Sequence, residues 1–142
     1  MADIKHFVVI NAPVNTVYKA ITEQEGLAGW WAVNTIAKPE IGFVNEFKFG
    51  DRYHNKMKIT NLEKDRLIAW ECIGGDREWI GTHIKFELAE KDGKTELMFT
   101  QADWGGQTLF YANCNYHWGG YMKSLKDYAE TGKGFPNHDK AY

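Results

Sequence analysis

FYANCNYHWGGYMKSLKDYAE, residues 110–130, is the one long stretch of this sequence whose apolar residues return at helical spacing from end to end. Wound at 3.6 residues per turn, Phe110, Cys114, Trp118, Tyr121, Leu125 and Tyr128 share one stripe, and Asn115, Lys123, Lys126 and Asp127 fall on the other side. The residues that follow, Thr131-Gly132-Lys133-Gly134, hold glycines that can stop a helix. A stripe with three aromatic rings besides Phe110 needs a large concave partner. The segments before it read as strands, so a sheet curved around this helix is expected.

Working back from the helix, strands are expected over 95–102, 79–88, 66–73, 54–62 and 44–49, with Asp92-Gly93 as a hairpin signal between the last two in chain order. Side chains on a strand alternate between two faces. That places Phe47, Phe49, Met57, Ile59, Ile68, Trp70, Cys72, Thr82, Ile84, Phe86, Leu88, Leu97, Phe99 and Gln101 on an inner face. Lys48, Lys56, Lys58, Lys85, Glu87 and Glu96 take the outer one, so one face is buried and one is wet. The β-branched run 4–10 is a further strand, ending at Asn11-Ala12-Pro13, where a proline suits a helix start. Val14, Val17, Tyr18 and Ile21 continue at helical spacing, and a second short helix spans 25–31. Its adjacent Trp30 and Trp31 point about 100 degrees apart, one into the core and one toward a rim. The fold class is α+β.

Composition narrows the function. A chain of 142 residues is the usual size of one domain, and one core is expected. Lys and Arg number 17 against 19 Asp and Glu, so a net charge of -2 carries no footprint for nucleic acid or anionic lipid. Aromatic residues make up 15%, which makes the core either very aromatic or hollow and aromatic-lined. Two cysteines, Cys72 and Cys114, make no disulfide framework, and no N-terminal run has the length of a signal or membrane segment. A cytoplasmic protein with free thiols is expected. A single domain is expected over 1–134, with 135–142 as a short polar tail on which Phe135 and Tyr142 could dock against a neighbour.

The chemistry-bearing residues exclude more than they assign. The one serine, Ser124, lies outside any Gly-x-Ser-x-Gly elbow and reads as a helix-surface residue. His6, His54, His83, His117 and His138 show no metal-ligand spacing, and Gly74-Gly75 and Gly105-Gly106 lack the strand-loop-helix context of a phosphate site. No cofactor, metal or catalytic residue is assigned. Asp103 is the acid placed to reach a pocket mouth, with Glu78 as a second rim candidate, and for Asp103 a turn role competes. Thr82, Gln101, His117 and Tyr121 are inward or flanking polar groups in an apolar setting, the usual make-up of a small-molecule pocket. Plain hydrogen bonding inside a filled core is the competing reading. Gly119-Gly120 in mid-helix costs about 0.5–1 kcal/mol per residue relative to Ala, and a bend or gate would explain it.

Several segments in this order carry a family resemblance. They are Ile10-Asn11-Ala12-Pro13 with Val17 and Tyr18, Leu27-Ala28-Gly29-Trp30-Trp31, Leu67-Ile68-Ala69-Trp70-Glu71, Trp79 to Leu88, and His117-Trp118-Gly119-Gly120-Tyr121 through Leu125 and Tyr128 to Gly134. Nearly the whole chain resembles a START-like domain of the SRPBCC superfamily, in the branch named for the activator of the heat-shock ATPase chaperone. The resemblance implies a helix-grip fold, a curved antiparallel sheet wrapped around the C-terminal helix with a cavity between them and two short helices after the first strand. The expected lining is Trp30, Phe47, Met57, Trp70, Thr82, Phe99, Gln101, His117, Trp118 and Tyr121. Three functions follow as expectations. The first is a carrier or sensor for a small hydrophobic or aromatic ligand. The second is a polyketide cyclase or aromatase using His117, Tyr121 and Asp103, and the third an interaction module acting on a chaperone ATPase.

Overall fold

The computed structural model describes residues 2–137. In chain order it contains β1 (Ala2–Ile10), α1 (Val14–Thr22), α2 (Gln24–Trp30), β2 (Asn34–Ile36), β3 (Val44–Phe49), β4 (Tyr53–Glu63), β5 (Leu67–Gly74), β6 (His83–Lys91), β7 (Lys94–Trp104) and α3 (Leu109–Thr131). The strands form a single seven-stranded sheet in the order β1-β7-β6-β5-β4-β3-β2, every neighbouring pair antiparallel. The sheet curves around α3, with α1 and α2 beside it: the helix-grip, α+β architecture implied by the sequence.

Local chemistry sets the ends of α3. Thr108 caps its start, the side-chain oxygen accepting the Tyr111 N–H at 3.1 Å. Gly132 ends it at φ 85°, a left-handed conformation that glycine adopts without strain, and donates its N–H to Tyr128 O at 2.7 Å. Pro13, with φ -62°, leads into α1.

Alternation assigns the strand faces as expected. Phe47, Met57, Ile59, Ile68, Trp70, Cys72, Ile84, Phe86, Leu88, Leu97, Phe99 and Gln101 are buried, while Lys48, Lys56, Lys58, Lys85 and Glu87 are exposed. Four local expectations need correction. The strand expected from residue 79 begins only at His83, because Trp79, Ile80, Gly81 and Thr82 form a turn bonded to Asp76 O, Cys72 O and Trp79 O, with Gly81 at φ 92°. β2 went unread because three residues are too short for a period-2 pattern. Neither Trp30 nor Trp31 reaches a rim; the chain leaves the helix at Trp31 (φ -113°, ψ -73°), and both tryptophans are buried. Ser124 is also buried: its hydroxyl donates to Trp30 O at 2.8 Å and accepts the Phe135 N–H at 2.7 Å.

The start of the tail is thereby tied to the second helix. Asn137 donates its N–H to Trp31 O at 2.9 Å and accepts the Val33 N–H on its side-chain oxygen at 3.0 Å. The expectations placed on His138 and Tyr142 lie outside the described residues. Close helix packing explains another glycine: a Cβ on Gly29 would sit 2.8 Å from Tyr128 Cδ1. At Gly119 the corresponding distance, to His6 Cε1, is 3.6 Å, so packing there does not require glycine.

Both edges of the sheet carry side-chain seals. On β1, Lys126 Nζ donates to Val9 O at 2.7 Å and the Tyr111 hydroxyl to Asp3 O at 2.8 Å, and just beyond its end Glu130 accepts the Asn11 N–H at 2.7 Å. Flanking β2, the Val33 N–H is taken by Asn137 and the Ala37 N–H by Gln24 Oε1 at 3.1 Å. An unpaired strand edge is a template for another strand, and these bonds occupy backbone groups that it would use.

Candidate functional site

The space between sheet and α3, where the sequence places a ligand, holds side chains. Trp31 is at its centre. Its ring lies 4.4 Å from Phe47, 5.2 Å from Trp118, 5.6 Å from Phe49, 6.0 Å from Trp70, 6.1 Å from Trp30 and 6.4 Å from both Trp79 and Tyr121, centroid to centroid. Aromatic pairs at such separations add about 0.5–1.5 kcal/mol each beyond the area they bury. Phe99 closes the far side, 4.3 Å from Trp118 and 5.2 Å from Phe86. At the mouth, among the described residues, Phe49, Tyr53, Asn55, Asp76, Trp79 and Phe110 line a void of ≈ 10 Å³. That is about one water-sized probe sphere, far below the roughly 300–1,000 Å³ of a ligand pocket.

Two of the polar groups expected to anchor a ligand, Gln101 and Thr82, bond to each other and to the tryptophans beside them. Trp118 Nε1–H donates to Gln101 Oε1 at 2.8 Å, Gln101 Nε2–H donates to Thr82 Oγ1 at 3.1 Å, and Thr82 donates to Trp79 O at 2.6 Å. This chain satisfies its buried members in the way a filled core requires. Trp30 likewise donates from Nε1 to Ala20 O at 2.8 Å. By contrast, Trp70 Nε1 is buried without a partner among the described residues.

Nine of the ten expected lining residues, Trp30, Phe47, Met57, Trp70, Thr82, Phe99, Gln101, Trp118 and Tyr121, are therefore buried in the interior, all but Thr82 and Gln101 as members of one packed hydrophobic cluster. The tenth, His117, is half-buried on the flank of α3 with its ring edge-on to Tyr116 at 5.2 Å. Trp31, the hub, was missing from that set, and its signal in the sequence was the Trp30-Trp31 doublet. Asp103 lies on the surface, accepting from His83 Nδ1–H at 2.7 Å. Glu78 accepts from the Thr108 hydroxyl at 2.6 Å and so ties the 76–82 turn to the start of α3.

Neither thiol is poised to react. Burial pushes the Cys72 thiol up to about 11, with Asp76 and Glu71 acting in the same direction against the bond from its S–H to Gly74 O. Cys114 Sγ accepts the Trp79 indole N–H at 3.4 Å. Among the described residues no three His, Cys, Asp or Glu side chains converge as a metal site, and no helix is long and apolar enough to cross a membrane.

The outer face of the sheet exposes Ile36 on β2 and Ile73 on β5, and a cross-strand apolar group on β1 and β7. Phe7 and Met98 are direct cross-strand partners, 58% and 37% exposed, with Val9 beside them at 41%. Their apolar surface stays in water in the monomer.

Comparison with known proteins bears on both regions. The family model described as Activator of Hsp90 ATPase homolog 1-like protein matches residues 11–130. No curated protein sequence matches the chain. Among solved structures, the Aha1 dimer from Colwellia psychrerythraea is similar with a TM-score of 0.87 and 32% identity, over 94% of this chain and 100% of that one. The protein SSP2350 of Staphylococcus saprophyticus has a TM-score of 0.78 at 21% identity, over 94% and 96%. DynU16, from the dynemicin biosynthetic locus, has a TM-score of 0.76 at 22% identity, over 93% of this chain and 48% of that one. At the two lower identities the likeness is one of fold.

Proposed function

The chain belongs to the Activator of Hsp90 ATPase homolog 1-like family, and from that premise we propose that it acts through its surface on a partner protein, an Hsp90-class chaperone ATPase, and does not enclose a small ligand. The observation that carries this reading is the packed interior: among the described residues Trp31 and the rings around it occupy the sheet–helix space, and the void they line at its mouth is ≈ 10 Å³. A carrier or a cyclase needs room beside its polar anchors. Here Gln101 and Thr82 are bonded to each other and to Trp118 and Trp79. The relative from Colwellia psychrerythraea is a dimer, and we propose the same assembly for this chain.

The test is the ATPase rate of a purified Hsp90 titrated with the full chain. The expected result is a rate that rises and saturates. The exposed Lys56 and Lys58 on β4 are the first positions to vary. Lys56→Glu and Lys58→Glu should weaken the stimulation with the fold intact, and the volume-conserving interior change Met57→Leu should leave it unchanged. An ATPase rate that never changes overturns the reading.

A further inference from the structure

We propose that two copies of this chain meet through the outer face of β1, β7 and β6, centred on Phe7 and Met98. This rests on the dimeric assembly proposed above and assigns it a face. The seals at both sheet edges disfavour lateral strand addition, and the inner face is covered by α3. The register fixes three adjacent rows on the outer face: Lys5, Thr100 and Lys85; then Phe7, Met98 and Glu87; then Val9, Glu96 and Ala89. A basic row and a row carrying Glu96 thus flank an exposed apolar pair.

This arrangement is self-complementary for one two-fold axis. With the axis along the middle row, Phe7 and Met98 pack on their own counterparts, as an isologous contact requires, and Glu87 meets the partner's Glu87, each beside its own Lys85 at 3.3 Å. Each basic row then lies over the other copy's Glu96 row. Glu96 falls opposite the partner's Thr100, between the partner's Lys5 and the partner's Lys85. With the axis along β7 instead, Lys5 would face the partner's Lys85 and Phe7 the partner's Glu87, which sets like charge on like charge and an apolar ring on a carboxylate. The row axis opposes one glutamate pair, whereas the β7 axis opposes Lys5 with Lys85 twice and Glu96 with Glu96, so the balance of charge selects the axis along the row. Lys56 and Lys58, two strands further on, remain free for a chaperone.

Sedimentation equilibrium of the full chain over a concentration series, with circular dichroism on each variant, tests this. The wild type should approach twice 16.3 kDa. Phe7→Asp and Met98→Asp should sediment as monomers with unchanged dichroism. Lys5→Glu alone and Glu96→Lys alone should each raise the dissociation constant about tenfold or more, and the two together should bring it back to within about threefold of wild type. A dimer that persists in both aspartate variants overturns the face while the dimeric assembly stands. Failure of the charge exchange to restore association overturns the axis, and a wild type that stays monomeric throughout overturns the assembly as well.

Discussion

The rings inside the grip and the apolar pair on the outside of β1 and β7 are opposite cases. Inside, Trp31 lies between Phe47 and Trp118, and Trp118, Gln101 and Thr82 have found partners in each other. Outside, Phe7 and Met98 lie in a field of lysines and glutamates with more than a third of their surface in water. The interior has the composition of a binding site and the packing of a core. The exterior has the composition of a wet face and an unfinished apolar contact. An aromatic-rich sequence in this fold therefore does not by itself imply a pocket, since what decides is whether a ring stands in the middle.

The comparison is broken most directly at its hub. Trp31→Ala should cost about 3–5 kcal/mol in urea-unfolding free energy, because the cavity left behind is walled by rings that cannot all collapse. A cost below 1 kcal/mol would mean that Trp31 is not holding the cluster together. Next, Trp118→Phe should be more destabilising than Trp70→Phe by about 1–3 kcal/mol. Both lose an indole, yet only the first strands a buried acceptor, Gln101 Oε1, since Trp70 Nε1 has no partner among the described residues. Equal costs would show that the Trp118–Gln101–Thr82 chain contributes nothing beyond packing.

Smaller effects sharpen the contrast. Gly29→Ala should lose on the order of 1 kcal/mol in thermal unfolding, as the clash with the Tyr128 ring outweighs the helix propensity gained. On the outer face, Phe7→Ala should change monomer stability by no more than about 0.5 kcal/mol while weakening association. The smallest effect is a titration. The Glu130 carboxyl is held below its ordinary range, first by the bond from Lys126 and then by the Asn11 N–H. A depressed carboxylate stabilises the fold above its unfolded value, and that contribution is lost as pH falls through the folded one. Wild type should therefore exceed Glu130→Gln in stability at neutral pH, and the two should converge on acidification. A gap that widens with acid would contradict the assignment.

Much of this architecture was legible in the sequence, for reasons that differ from part to part. The helix at 110–130 was readable because its apolar stripe and the glycine at its end, Gly132, act within a few residues. The inner and outer strand faces were readable because period 2 survives any detail of register. The turn at 79–82 was not, since it closes on Cys72 and Asp76 through backbone bonds that no pattern announces. The burial of both Trp30 and Trp31 was missed because the direction of Trp31 is set by where the chain leaves α2, beyond the reach of a helix wheel. Phe7 escaped notice for the opposite reason: Phe7-Val8-Val9-Ile10 is apolar throughout, so alternation could not tell its faces apart. Whether the interior is open or filled could not be read at all, because the same rings serve either case until their packing is known.

The central claim is that the grip is closed on its own side chains, and native mass spectrometry of the chain purified gently from its host tests it most directly. The expected result is a bare mass of 16.3 kDa, and its double, with no companion species. A reproducible extra mass that disappears on denaturation would show a ligand held inside and would contradict the claim.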